Sequence, residues 1–238
     1  MTHTVAFVRD DVELRISEDP ARAGADLLAA AAHAGGHIAL SGGSTPKRAY
    51  ELAAAMEVDW AGATLWFGDD RCVPPDDERS NYRMVREAML DRLDPGPEVH
   101  RIAGELGPRE GADDYELQLR DAFGGHMPAL DLALMGIGPD AHTASLFPGQ
   151  AALQERDRLA VGVEKAGMEP YVPRVTLTLP VFNSAREVVF LVTGADKADA
   201  VARAFGDGAP GPDAPSSLVR ASAGRLVLLC DEAAAEGL

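Results

Sequence analysis

Cysteine is scarce in this chain, and so is positive charge. Cys72 and Cys230 are its two cysteines in 238 residues. Neither belongs to a Cys-x-x-Cys pair or a Cys/His cluster, so the sequence offers neither a disulfide framework nor a zinc site. Lysine and arginine number 22 against 38 aspartates and glutamates, a net charge of −16. No basic stripe interrupts that balance, which argues against a nucleic-acid or anionic-membrane partner. Long apolar runs are missing as well. The nearest, "LLAAAAHAGGHIAL", is broken by glycine and histidine, and "MTHTVAFVRDDVELR" lacks a basic segment followed by an apolar one. The expectation is a soluble, cytoplasmic protein whose acidic surface repels anions at long range. Screening over about 8 Å at physiological salt leaves a local cluster of cations free to win at close quarters.

What is present is a core. Hydrophobic residues make up 46% and charged residues 25% of the chain, an ordinary globular balance. Short apolar runs at 4–8, 37–41, 64–68, 130–135, 174–179, 187–192 and 225–230 read as strands, several apolar nearly throughout, as strands covered on both faces are. Helical patterns fall between them at 20–34, 46–56, 80–92, 108–123 and 195–206. Alternating strands and helices predict an α/β fold, a doubly wound and mainly parallel sheet with helices on both faces. No repeat or linker divides it, and the Pro/Gly-rich stretch 206–217 reads as a surface loop, so residues 1–238 are expected to form a single domain. Ligands of such sheets bind beyond the carboxyl ends of the strands.

Three loops at those ends carry chemistry. In "LSGGSTPKRAY" the strand ends at Gly42 and Gly43, with Thr45-Pro46 reading as cap and first turn of a helix. Free backbone N–H groups, the helix dipole and the hydroxyls of Ser44 and Thr45 together suit a phosphate. The alternative is a well-capped turn. In "WFGDDRCVPPDDERSNYRM" the residues Asp69, Asp70 and Arg71 project from a strand end. Ser80 reads as a helix cap, and Asp76, Asp77 and Glu78 as a solvated acidic loop. In "MGIGPDAHTASLFPG" the spacing Gly136-x-Gly138-x-x-Ala141 superficially fits a dinucleotide fingerprint, yet Pro148-Gly149 ends the segment within about two turns, too soon for the long helix that fingerprint opens. Asp140 stands two residues before His142, where it can fix the tautomer of a general base. The other histidines, His3, His33, His37, His100 and His126, have no such neighbour, and none is spaced for a metal. Arg174 and Lys197 sit at strand–loop junctions suited to clamping a phosphate.

These segments, with "PRVTLTLPVFNSAREVVFLVTGADKADAV" and "PSSLV", run in one order over about residues 5 to 230, and the chain so resembles the 6-phosphogluconolactonase family. The resemblance implies a modified Rossmann-like fold and the hydrolysis of 6-phospho-D-glucono-1,5-lactone, in the oxidative pentose phosphate pathway, with no cofactor or metal. It implies His142 as the base that activates water, Asp140 as its orienting partner and Arg71 beside the reacting group. Gly42, Gly43, Ser44, Thr45, Asp69, Arg174 and Lys197 would line the substrate and phosphate subsites. Two positions depart from the family pattern: Asp70 replaces a glutamate, and Ala141 a glycine. If that glycine serves a positive φ, Ala141 carries strain of about 1 kcal/mol. Ser145 lies in no G-x-S-x-G elbow, so the nucleophile expected is water rather than an acyl-forming serine. The rival readings are a glucosamine-6-phosphate deaminase or sugar-phosphate isomerase and a non-catalytic sugar-phosphate-binding module. The first needs an Asn-Glu-Pro where this chain has Leu146-Phe147-Pro148. The second needs a DNA-reading segment that is absent. The expected partner is a small phosphorylated sugar lactone, met by a monomer or homodimer.

Overall fold

The computed structural model describes residues 4–9, 11–208, 210–222 and 224–238; His3 lies outside them. An eight-stranded sheet forms the centre. Its strands are β1 (Thr4–Arg9), β2 (Val12–Ile16), β3 (His37–Leu40), β4 (Thr64–Phe67), β6 (Glu98–His100), β7 (Leu132–Met135), β10 (Glu187–Val192) and β11 (Arg225–Cys230). They run in the order β1-β2-β11-β10-β7-β3-β4-β6. All neighbours pair in parallel except β1 with β2. The inner strands Leu132–Met135 and Val188–Val192 are buried residue by residue, which is why they read as continuous apolar runs.

The connecting helices are α1 (Pro20–His33), α2 (Ser44–Ala53), α3 (Asn81–Ala88), α4 (Pro108–Ala122), α5 (Leu179–Asn183) and α6 (Ala198–Phe205). Crossovers through α1, α2 and α3 step toward β6, whereas those through α4, α5 and α6 step back toward β2. Right-handed crossovers therefore put the first three helices on one face and the last three on the other. The direction reverses between β3 and β7. That adjacent pair is the topological switch point, where the connections part and leave a crevice.

Three sequence expectations are corrected. The run 174–179 is not a member of the parallel sheet. Its strand, β9 (Arg174–Leu177), pairs antiparallel with β5 (Asp69–Arg71) and β8 (Ala160–Val163) in a separate three-stranded sheet. Thr178 and Leu179 leave that strand because α5 begins there, with Pro180 in its first turn. Asp69–Arg71, read as loop, is strand β5. Helix α2 begins at Ser44, not Pro46, because Gly43 takes φ 111° as its cap, a conformation open to glycine. Strands β2, β6 and β8 were not foreseen. The last two have three and four residues, too few for a period to register.

Two tyrosines lock the strand ends that border the crevice. Tyr50 of α2 accepts from the Ser41 N–H at 2.9 Å and donates to the Ser41 carbonyl at 2.8 Å. Tyr115 of α4 does the same to Phe67, at 2.7 and 3.0 Å. Burial raises both phenols far above their ordinary pKa, so each remains a donor as well as an acceptor. Tyr115→Phe should lower unfolding stability by about 1–3 kcal/mol, because it leaves a buried peptide group unsatisfied. Urea titration at unchanged m-value is the check.

Candidate active site

A cleft of about 270 Å³ opens at the switch point. The carboxyl end of β3 supplies Ser41, Gly42 and Gly43, and the start of α2 supplies Ser44 and Thr45. The end of β7 supplies Gly136, Ile137, Gly138 and then His142. Asp69, Arg71 and Arg174 enter from the small sheet, and Thr193 and Lys197 from the end of β10. Of the ten site residues expected from the sequence, nine line this one cleft. The tenth, Asp140, stands behind the imidazole.

His142 is held on several sides. Asp140 Oδ1 faces Nδ1 at 2.5 Å and also accepts the His142 backbone N–H at 3.1 Å. A carboxylate there fixes the proton on Nδ1 and leaves Nε2 with its lone pair free. Burial by itself pushes the Asp140 carboxyl up, but the contacts with His142 outweigh it and hold the group below its ordinary value. Phe147 packs on the imidazole at 4.6 Å between ring centroids. On another side Gly138 leaves the room the ring needs, since a Cβ there would run into Cε1 and Nδ1. The side chain of His142 is 13% exposed. The loop bends back on itself through left-handed residues, Ala141 at φ 62° and Ala144 at φ 49°. Each carries about 1–2 kcal/mol of backbone strain, so the position where the family pattern has glycine is one that favours glycine.

Alternation along β5 divides the work of its three charged residues. Side chains at i and i+2 share a face. Asp69 and Arg71 face the cleft, while Asp70 faces the start of α3. Asp70 accepts backbone N–H groups from Arg71, Asn81 and Tyr82 at 2.7, 2.6 and 3.0 Å, and the Ser80 hydroxyl at 3.1 Å. Burial pushes its carboxyl up to about 6 against those donors. Asp70 therefore anchors a helix. Ser80 caps the same helix, as expected, by accepting from the Arg83 N–H.

Asp69 is 5% exposed. It accepts from the Ser145 hydroxyl at 2.5 Å and from Asn81 Nδ2 at 3.3 Å, and Arg174 Nη1 lies 3.9 Å away. Ser145 is thus turned to Asp69, which takes it out of contention as a nucleophile activated by His142. Arg71 and Arg174 are cross-strand partners. Arg71 Nη1 donates to the Arg79 carbonyl and Arg174 Nη2 to the Pro170 carbonyl. Among the described residues neither Nε finds an acceptor. Burial, with Arg71 adding to it, pulls the Arg174 guanidinium below its ordinary value against the attraction of Asp69. Two adjacent guanidiniums, that of Arg174 buried and that of Arg71 partly so, each with an unpaired Nε, favour an anionic ligand. At the other wall no side chain caps α2, whose first N–H groups open on the cleft. A hydroxyl contact of 2.7 Å between Thr45 and Thr193 ties that helix to the segment bearing Lys197.

Sequence reading missed Asn81 and Thr193. Asn81 follows a cap and Thr193 follows a strand, and neither setting distinguishes a lining residue from a capping one. Among the described residues no three His, Cys, Asp or Glu side chains converge as a metal site, and no helix is long and apolar enough to cross a membrane.

Residues 15–228 match the model of the glucosamine-6-phosphate isomerases/6-phosphogluconolactonase family, and the chain belongs to that family. Within it, the similarity is to 6-phosphogluconolactonases. The 6-phosphogluconolactonase of Nostoc sp. is 44% identical over 202 residues, covering 83% of this chain and 82% of its own. That of Homo sapiens is 42% identical over 205 residues, covering 83% and 79%. The solved 6-phosphogluconolactonase from Trypanosoma cruzi superposes with a TM-score of 0.83 at 29% identity over 99% of each chain.

Proposed function

We propose that this chain is a lactone hydrolase that opens 6-phospho-D-glucono-1,5-lactone to 6-phosphogluconate, with His142 as general base. The observation that carries the chemistry is the Asp140–His142 contact on the rim of a cation-lined cleft. His142 Nε2 takes a proton as water adds to the lactone carbonyl. Arg71 stabilises the oxyanion that forms. As the ring carbon–oxygen bond breaks, the imidazolium returns its proton to the departing ring oxygen. A positioned base is worth roughly 10²–10⁴ in rate and a preorganised oxyanion partner roughly 10²–10³. That is ample for an ester which opens readily, and no covalent intermediate is required.

The phosphate is assigned to Gly42, Gly43, Ser44 and Thr45 at the start of α2, with Lys197 and Arg174. Asp69, an acceptor in a cleft for an anionic substrate, is assigned to sugar hydroxyls. The deaminase reading is disfavoured because Phe147, an apolar ring packed on the imidazole, stands where that activity needs a glutamate. The proposed state is a monomer or a homodimer. The proposed setting is a single-domain enzyme of the cytoplasm, with two free cysteines.

The test is a time-resolved assay on freshly generated phosphogluconolactone, corrected for spontaneous opening, with glucosamine-6-phosphate as comparison. Acceleration of lactone opening is expected, with no ammonia released from the amino sugar. The reverse pattern would overturn the reading. Exhaustive chelation should leave the lactonase rate unchanged, and a loss restored by a divalent ion would contradict a metal-free mechanism.

A further inference from the structure

We infer that Ser216 is a positioning residue for His142, acting through the carbonyl of Ala141; the inference rests on His142 being the base. Ser216 lies in the 3₁₀ turn Pro215–Leu218 and is fully buried. It does not line the cleft. Its backbone N–H and its Oγ–H both donate to the Ala141 carbonyl, each at 2.9 Å, and Oγ lies 3.3 Å from the His142 carbonyl. A carbonyl oxygen has two lone pairs, so this one is fully engaged by a single residue 75 positions downstream.

Any buried serine needs an acceptor. What sets this one apart is where its two donors converge. Ala141 is left-handed, a state that an alanine keeps only where its surroundings over-determine it. Within the loop, the Ala141 N–H donates to the Gly138 carbonyl and the Gly138 N–H to the His142 carbonyl, both at 2.9 Å. Ser216 adds the hold from outside. The peptide it grips joins Ala141 to His142, and the orientation of that peptide sets the direction in which the His142 side chain leaves the backbone. Relaxed to a right-handed turn, the loop would swing the imidazole away from its place between Gly138 and Phe147. With glycine at 141 the left-handed state needs no outside restraint, whereas alanine makes the clamp necessary.

The experiment is a double-mutant cycle on the full chain: Ser216→Ala, Ala141→Gly and the pair, with kcat and KM on phosphogluconolactone and a thermal melt of each. In the native background Ser216→Ala should lower kcat about 10- to 100-fold, the scale of a small misplacement of a reacting group, with KM changed by less than about twofold. In the Ala141→Gly background the same substitution should lower kcat by less than about threefold, a coupling of the kind neighbouring sites show. Equal losses in the two backgrounds, a loss confined to KM, or undiminished kcat in folded Ser216→Ala would each overturn the inference. If Ser216→Ala alone does not fold, the pair decides. A folded, active pair supports the clamp, and an unfolded one makes Ser216 a residue of the fold only. His142→Ala, assayed alongside, separates the two claims. Full turnover there removes the base, whereas an inactive His142→Ala with a failed cycle counts against the clamp alone.

Discussion

His142→Ala is expected to lower kcat on phosphogluconolactone by about 10²- to 10⁴-fold, the range over which general-base catalysis operates, while the protein stays folded. The fold should survive because the imidazole sits on a loop at the edge of the sheet and Asp140, its polar partner among the described residues, is part-exposed and can take water in its place. The loss should fall on kcat, since the base acts on water and not on the bound sugar. Asp140→Asn is the companion test. An amide nitrogen facing Nδ1 would draw the proton to Nε2 and take away the lone pair that the reaction needs, so a loss of similar order is expected from a change of one atom. Folded His142→Ala with native turnover would remove the imidazole from the mechanism.

The second large effect concerns binding. Lys197→Ala should cut kcat/KM for the phosphorylated lactone by about 10- to 150-fold, equivalent to the roughly 1.5–3 kcal/mol of a hydrogen bond to a charged group. Unphosphorylated gluconolactone should lose less than about twofold, because it lacks the group that the ammonium meets. The side chain is 27% exposed, and its acidic neighbour, Asp196, is 3.7 Å away on the surface, so this cation is not tied up in a buried pair. Raising ionic strength should weaken the phosphorylated substrate preferentially. Equal losses on both substrates would show that Lys197 serves the fold or the reacting end instead.

The site was legible to unequal degrees. Gly42–Thr45, Arg71 and Asp140–His142 announce themselves because glycines, hydroxyls and charges at the ends of apolar strands have few purely structural uses. The roles of Asp69 and Asp70 were not separable, since adjacent carboxylates look alike until a strand alternates them: one faces the cleft and the other a helix N-terminus. Ser145, three residues after the histidine, is passed over as a nucleophile for want of a G-x-S-x-G elbow, and only the fold shows its hydroxyl bonded to Asp69. Ala141 was seen to depart from a glycine position, but whether that mattered depended on a φ angle.

By itself the sequence determined the class of fold, the order of its main strands and helices, and most of a set of residues that the fold gathers at one cleft. Runs buried on both faces, helical stripes and caps are local patterns, and local patterns survive in one dimension. Tertiary structure alone decided that 174–177 leaves the parallel sheet to pair with 69–71, which sets Arg174 opposite Arg71. It alone brought Ser216 onto Ala141 and Thr193 onto Thr45. Pairings across scores of residues depend on which surfaces meet when the core closes, and no neighbour in the chain encodes them.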